Sequence, residues 1–155
     1  MSGHSYHSLN YHVVFSTKRR LPLLTDEKWV QLRSCLREKS REIGAQIHHA
    51  NGTEDHVHLL LSCAPRLSMA DCLKHLKGYT SRRIDELYWQ NGYYAFTVDR
   101  QGFDRVYRYI ANQKAHHAKQ SWQDEMKHLL ATFSLPKYSL PTRCHGFKPV
   151  ATNRV

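Results

Sequence analysis

The stretch at residues 54–61, EDHVHLLL, constrains the fold of this chain more than any other. Its apolar second half is bounded by turn residues on both sides, which is typical of a buried β-strand. Because side chains on a strand alternate between its two faces, His56 and His58 share one face while Val57 and Leu59 share the other. Two neighbouring imidazoles are either an exposed or hydrogen-bonded pair or two ligands of a metal ion, since neutral imidazole is the commonest side-chain metal ligand.

The chain is strongly basic. It carries 23 Lys and Arg residues against 13 Asp and Glu residues, a formal net charge of +10 over 155 residues. A chain this basic usually binds a polyanion, and nucleic acid is the default expectation. The basic residues are spread along the sequence, which favours a folded basic surface over a disordered basic arm.

The length fits one domain, which we place at residues 1–131, followed by a basic and irregular C-terminal tail at 132–155. The four cysteines are far apart and include no C-x-x-C pair, and no secretory signal is recognised at the N-terminus. We therefore expect a cytoplasmic protein with reduced thiols, associated with the nucleoid. No apolar run approaches the roughly 18 residues that are needed to span a bilayer.

Hydrophobic periodicity predicts the element order β-α-β-β-α-β, followed by a further long helix and a short one. The predicted strands lie at 9–17, 45–50, 56–61 and 93–99, and the predicted helices at 25–44, 68–90, 104–119 and 123–132. Asn51-Gly52 is a strong hairpin signal between the second and third strands, while the first two helices act as crossovers. The expected fold class is α+β: a ferredoxin-like βαββαβ arrangement with an antiparallel four-stranded sheet, plus a C-terminal tyrosine-bearing helix.

Two polar residues of the third predicted helix are spaced to act together. Tyr109 and Gln113 are four residues apart, so they lie on one face of the helix, one turn apart. Tyr107 is two residues from Tyr109, about 200° around the helix, and faces nearly the opposite way. A tyrosine beside Val106 and Ile110 is alternatively a plain aromatic residue at a packing interface.

Together these motifs resemble the HUH single-tyrosine transposases, the small enzymes of insertion sequences that move as single-stranded DNA. The resemblance covers most of residues 8–131. It rests on YHVVFSTKRR at 11–20, EDHVHLLL at 54–61, LKGYTS at 76–81, WQNGYYA at 89–95 and YIANQ at 109–113.

The resemblance implies that His56, His58 and Gln113 bind a divalent ion, Mg²⁺ or Mn²⁺, and that Tyr109 is the nucleophile. It implies a 5′-phosphotyrosine intermediate and no need for ATP, and the sequence contains no P-loop pattern. Asp55, Asn112, His116 and His117 could support the metal or compete for it, and we expect each to lie outside the ligand set or on the surface.

The resemblance also implies partners. The expected substrates are single-stranded DNA hairpins at element ends, and the expected assembly is a homodimer in which each active site takes its histidines from one chain and its tyrosine from the other. A hairpin would dock on a basic surface, for which the candidate residues are Lys18, Arg19, Arg20, Arg82 and Arg83.

Two alternatives stay open at this point. A domesticated REP-associated tyrosine transposase would act on chromosomal palindromic repeats rather than on its own element. A non-catalytic RRM-like module would share the fold but stack bases on sheet aromatics. It would need an RNP1 pattern on the third strand, where this chain has EDHVHLLL.

Overall fold

The computed structural model describes residues 5–117 and 121–132. Four strands and five α-helices follow one another along these residues. They are β1 (Asn10–Ser16), α1 (Asp26–Ile43), β2 (Ala45–Gly52), β3 (His56–Cys63), α2 (Met69–Arg83), β4 (Tyr94–Val98), α3 (Phe103–Ala111), α4 (Gln113–His117) and α5 (Trp122–Thr132). One turn of 3₁₀-helix, Lys18–Arg20, follows β1. The predicted tail lies outside the described residues, apart from Thr132 at the end of α5.

The strands form one sheet in the order β2-β3-β1-β4, and all neighbours are antiparallel. This order arises because α1 carries the chain from β1 to β2 and α2 carries it from β3 to β4. The predicted ferredoxin-like fold is confirmed. In the central β1–β3 pair, Val14 lies opposite His58 and Ser16 opposite His56.

Helices α1 and α2 cover one face of the sheet and form the main core. Alternate apolar residues of the two central strands enter this core, as strand geometry requires. They are Val13 and Phe15 of β1 and Val57, Leu59 and Leu61 of β3. Burial of each large apolar side chain contributes about 1.5–3 kcal/mol, so this layer supplies much of the stability.

The C-terminal helices α3 and α5 cover the opposite face through two smaller apolar clusters. One groups Val14 and Phe96 with Met126 of α5, and the other groups Leu60 with Ile110 of α3. His56 and His58 lie on this second face, so the helices bury them completely.

Helix α1 begins and ends where the sequence predicts. The Thr25 hydroxyl accepts a hydrogen bond from the Lys28 amide at 3.3 Å, which satisfies one free N–H of the first turn. Gly44 ends the helix in the left-handed conformation, at φ 82°, where a side chain would be strained.

The hairpin between β2 and β3 differs from the prediction. Asn51 and Gly52 belong to β2, and the turn consists of Thr53–Asp55. Gly52 is required for a different reason, because a Cβ atom there would lie 2.1 Å from the carbonyl oxygen of His56. The glycine allows two backbones to approach closely rather than forming the turn itself.

Helix α2 ends at Arg83, seven residues before the predicted end near Gln90. Ile84 and Leu87 continue the buried apolar stripe, but through an irregular segment in which Glu86 has φ 53°. The next residues pair with the sheet instead, since Trp89 forms an isolated β-bridge with Thr17. Tertiary pairing therefore overrides the helical periodicity here.

The predicted helix at 104–119 is divided at Asn112 into α3 and α4. The side-chain amide of Asn51 donates hydrogen bonds to the carbonyls of Ile110 and Ala111, both at 3.0 Å. These carbonyls are thereby held by β2 at the point where the helix is interrupted. The last two residues of the predicted helix, 118 and 119, lie outside the described part.

No helix of the described residues combines the length and the apolar character that crossing a membrane requires. Cys35, Cys63 and Cys72 are free thiols in the described part of the chain, and Cys144 lies outside it.

Candidate active site

The candidate site lies between the sheet and the C-terminal helices. His56 and His58 enter it from β3, His12 from the neighbouring strand β1, and all three are at most 1% exposed. The alternation predicted for EDHVHLLL therefore holds, but the histidine face is a buried interface rather than an open surface.

His56 is oriented by the turn that precedes it. Its Nδ1 atom donates to Oδ1 of Asp55 at 2.7 Å and lies 2.8 Å from the Thr53 hydroxyl. Burial alone would raise the pKa of Asp55, but the hydrogen bond and charge of His56 and the nearby Arg20 outweigh it and lower that pKa well below its usual range. Asp55 is thus ionised, and the Nε2 atom of His56 stays available to a ligand.

His58 is held by another histidine. Its Nδ1 atom lies 3.0 Å from Nε2 of His12, and the two rings stack at 5.2 Å between centroids. Burial lowers the pKa of His12 to about 4 and lowers the pKa of His58 well below its ordinary value. Both rings are therefore neutral at pH 7, the form in which imidazole binds a metal.

The polar groups of α3, α4 and α5 converge on one carboxylate. Glu125 of α5 accepts a short hydrogen bond from the Tyr109 hydroxyl and a 3.0 Å bond from the Gln113 amide on the same oxygen, Oε1. That oxygen lies 3.5 Å from Nε2 of His58, while Oε2 lies 2.7 Å from Nε2 of His117. Glu125 is 3% exposed, so a charged group is buried beside these four polar side chains.

Burial alone would raise the pKa of Glu125, but hydrogen bonds from His117, Tyr109 and Gln113 lower it well below its usual value. The same surroundings act oppositely on the tyrosine. Burial, and then the bond to Glu125, raise the pKa of Tyr109 above its ordinary 10. Without further charge in the site, the proton stays on Tyr109 and the carboxylate stays ionised.

The residues present fit a divalent cation. The nearest ligand atoms of His56, His58, His117 and Glu125 all lie within 4.8 Å of one another. Among the described residues, Nε2 of His56, Nε2 of His58 and Oε1 of Gln113 are buried and lack a hydrogen-bond partner. Buried polar atoms are rarely unpaired, and neutral imidazole nitrogens with an amide oxygen and a carboxylate form a reasonable donor set.

The structure also separates Tyr107 from this site. Tyr107 is 40% exposed and packs against the ring of His49 at 4.5 Å, on the outer side of α3. Asn112 is exposed at the end of α3, and the His116 side chain lies outside the described part.

The predicted DNA contacts fall into two groups. Lys18 and Arg19 are exposed beside the site, whereas both Nε and Nη2 of Arg20 donate to Oδ2 of Asp55, at 3.0 and 2.6 Å. Arg82 and Arg83 are exposed at the end of α2, in the helical layer on the other side of the sheet.

Comparison with known proteins identifies the class. Residues 5–113 match the model of the IS200-like transposase family, and the chain belongs to this family. The family consists of transposases, so the chain is a DNA-cleaving enzyme by class.

Individual relatives agree with this assignment. The ISDra2 transposase TnpA of Deinococcus radiodurans is 30% identical over 124 residues, which cover 72% of this chain and 89% of the relative. The transposase of insertion sequence element IS200 from Salmonella typhimurium is 29% identical over 123 residues, 72% of this chain and 80% of the relative.

Two solved structures are similar in fold. A crystal structure of a transposase from Deinococcus radiodurans R1 aligns with a TM-score of 0.57 and 28% identity, covering 73% of this chain and 97% of that one. A REP-associated tyrosine transposase bound to a REP hairpin aligns with a TM-score of 0.60 over 100% of this chain and 99% of that one. At 13% identity the second likeness shows the fold alone.

These findings exclude the RRM-like alternative. The family match identifies a transposase, and α3 and α5 cover the sheet face on which an RRM would stack bases. Tyr94 and Phe96, the aromatic residues of that face, pack beneath α5.

Sequence reasoning missed Glu125 and His12. Glu125 lies in a short helix beyond residue 113, where the family match ends, and an amphipathic helix normally carries acidic residues on its exposed face. His12 has a readable signal: in a strand that alternates, it shares a face with Val14 and not with Val13 and Phe15.

Proposed function

We propose that the chain cleaves and rejoins single-stranded DNA at hairpin-containing element ends, with Tyr109 as the nucleophile and a 5′-phosphotyrosine intermediate. The Tyr109 oxygen forms a bond to the scissile phosphorus, the bond from phosphorus to the 3′ oxygen breaks, and a 3′-hydroxyl leaves. Since the new ester keeps the phosphodiester energy, a later attack by another 3′-hydroxyl rejoins the strand without ATP.

The observation that carries this proposal is the hydrogen bond from the Tyr109 hydroxyl to Glu125. A tyrosine with an ordinary pKa near 10 is a poor nucleophile at pH 7 unless its proton is removed. Oε1 of Glu125 already accepts that proton in a hydrogen bond, so we propose Glu125 as the proton acceptor when the bond to phosphorus forms.

We propose that His56, His58 and Gln113 hold one divalent ion, Mg²⁺ or Mn²⁺, with His117 and Glu125 beside it. Their unpartnered ring nitrogens and amide oxygen, all buried, support this set. When bound, such an ion polarises a phosphate oxygen and offsets the negative charge of the transition state. Tyr109 shares the Glu125 oxygen with Gln113, so nucleophile and ligand set are adjacent.

The test is a covalent-adduct assay. Labelled single-stranded DNA hairpins, taken from the element ends that flank the gene, are incubated with the protein and Mg²⁺. The covalent adduct is then separated on a denaturing gel. Wild type should form the adduct and Tyr109→Phe should not, because that change removes one oxygen and almost no volume. EDTA should abolish the reaction, and a fully paired duplex should not react.

The matched control is Tyr107→Phe, which makes the same change on the outer side of α3 and should leave the adduct unaffected. A phosphotyrosine mapped to Tyr107 by mass spectrometry, or wild-type reaction by Tyr109→Phe, would falsify the assignment. Hairpins from chromosomal palindromic repeats form a further arm. Cleavage of those alone would assign the chain to the domesticated alternative.

The homodimer with shared active sites, which the resemblance implies, stays a prediction. In the described chain Tyr109 lies beside the histidines of the same chain, with its ring 6.0 Å from that of His58. A shared site would therefore require α3 to α5 to exchange between two chains, which makes complementation between mutant chains the decisive measurement.

A further inference from the structure

His12 is the one buried histidine of the site that has no part in the proposed ligand set. It is 1% exposed in the middle of β1, with Nε2 3.0 Å from Nδ1 of His58. Its own Nδ1 atom has no hydrogen-bond partner among the described residues. Its ring also meets that of Tyr109 edge-on at 5.8 Å. His12 thus contacts both a proposed ligand and the proposed nucleophile.

The position of the proton on His58 decides whether it can bind a cation. A histidine binds through a ring nitrogen that carries no proton, and on His58 only Nε2 faces the other candidate ligands. The proton of the neutral ring must then sit on Nδ1, which faces Nε2 of His12. The opposite tautomer, with the proton on Nε2 of His58, blocks that atom as a ligand.

We propose that His12 is a positioning residue, which accepts the Nδ1 proton of His58 in a hydrogen bond and so directs Nε2 of His58 towards the divalent ion. This inference rests on the proposed function. Each proposed histidine ligand would then donate its Nδ1 proton to a partner of its own: His58 to His12, and His56 to Oδ1 of Asp55 at 2.7 Å. Metal-binding histidines generally need such a partner, and its loss typically lowers metal affinity about 10- to 100-fold.

The choice of a histidine over a carboxylate at this position is consistent with its surroundings. The ring of His12 contacts those of Phe96, Tyr109 and His58, and none of these three described residues carries a positive charge that would compensate an ionised acid. A neutral imidazole supplies an acceptor there and leaves only one N–H unpaired, which costs less than a buried charge.

The experiment measures Mn²⁺ binding to the DNA-free protein by the EPR signal of free Mn²⁺. His12→Phe keeps the ring volume and removes the acceptor, so affinity should fall about 10- to 100-fold. His12→Gln restores an acceptor oxygen and should recover most of the affinity. The matched control is His48→Phe, because His48 bonds to Ser62 at the other end of the sheet and should bind Mn²⁺ as wild type does.

Wild-type affinity in His12→Phe, or equal losses in the Phe and Gln variants, would overturn the proposal and leave the proposed function intact. Wild type that binds Mn²⁺ no better than His56→Ala would overturn both. Long-range ¹H–¹⁵N spectra of the Mg²⁺-loaded wild type test the tautomer without any variant. The proton should be on Nδ1 of His58, and a proton on Nε2 would refute the proposal even if His12→Phe does not fold.

Discussion

Glu125 connects the polar groups of the site more directly than any other residue. Its two oxygens reach Tyr109 and Gln113 on one side and His117 on the other. A carboxylate buried to this degree is costly unless its charge is compensated, and here the hydrogen bonds from Tyr109 and Gln113 and the 2.7 Å contact with His117 compensate it. Glu125 therefore ties the nucleophile to the candidate ligands.

Replacing Glu125 by Gln tests its role as proton acceptor. The variant keeps the shape and removes the charge, so adduct formation should slow by about 10²–10⁴-fold, the usual contribution of a positioned base. The Tyr109 pKa should fall towards its ordinary value, because the bond to Glu125 is one cause of its rise. Single-turnover rates and ¹³C NMR of labelled tyrosine measure the two effects.

The matched control is Asp124→Asn, which removes the neighbouring charge on the same helix, where Asp124 is exposed and contacts Ser121 and Lys127 rather than the site. Its rate should equal that of wild type. A Glu125→Gln rate within a factor of a few of wild type would assign proton removal to another group.

The sequence predicts those candidate site residues that lie on one face of the same strand or of the same predicted helix. His56 and His58 follow from strand alternation, and Tyr109 with Gln113 from helical spacing, even though α3 and α4 are separate helices. Glu125 could not be predicted in this way, because its partners come from other elements and only the packing of α5 on the sheet brings them together.

At the scale of elements, the 3₁₀ turn after β1 links the sheet to α5. Arg19 and Arg20 both have φ 56°, a conformation that costs a residue other than glycine roughly 1–3 kcal/mol. The Arg20 guanidinium binds Asp55 and lies 4.4 Å from the centre of the Trp122 ring at the start of α5. These contacts offset the backbone cost and orient the turn that holds His56.

The two neighbouring arginines of this turn should therefore have different roles, Arg20 in stability and Arg19 in DNA binding. Arg20→Ala removes two charge-assisted bonds to Asp55 and should lower the free energy of unfolding at pH 7 by about 1.5–3 kcal/mol. Arg19→Ala should instead weaken hairpin binding and reduce its salt dependence by about one phosphate contact. Chemical denaturation and DNA titration at several salt concentrations check both, and the opposite pairing of effects would contradict the assignment.

The Arg20 effect should also depend on pH, because the pKa of Asp55 is lower in the folded chain than its usual value near 4. A carboxyl group with a lowered pKa stabilises the fold above the unfolded pKa and loses this contribution as the pH falls. The difference between wild type and Arg20→Ala should therefore be full at pH 7 and shrink below about pH 4.

Element order and strand pairing were predictable because apolar periodicity and capping residues act locally, as Thr25 and Gly44 show for α1. Element ends were less predictable where a distant residue decides them. At the end of α3, the side chain of Asn51 donates hydrogen bonds to the last carbonyl groups of the helix. After the early end of α2, the chain forms a β-bridge with Thr17 instead of a further helical turn.

At the scale of the whole molecule, the C-terminal helices contribute to a single chain's own site. Ile110 is fully buried against Leu60 and Val98, and Asn51 binds the carbonyls at the end of α3. Exchange of these helices between two chains would open this packing and form it again with the partner chain's helices, so the same contacts serve both arrangements. The packing therefore fits a site within one chain as well as the shared site that the resemblance implies.

Complementation between two inactive chains distinguishes these two arrangements. His56→Ala removes a proposed ligand and Tyr109→Phe removes the nucleophile, so neither variant should form the adduct alone. If each chain uses its own tyrosine, a mixture of the two should stay inactive, even after joint unfolding and refolding. If two chains share sites, as the resemblance implies, up to one working site per mixed dimer should return. Light scattering at the working concentration accompanies the assay, and a dimer with restored activity would establish the shared arrangement over the one within a single chain.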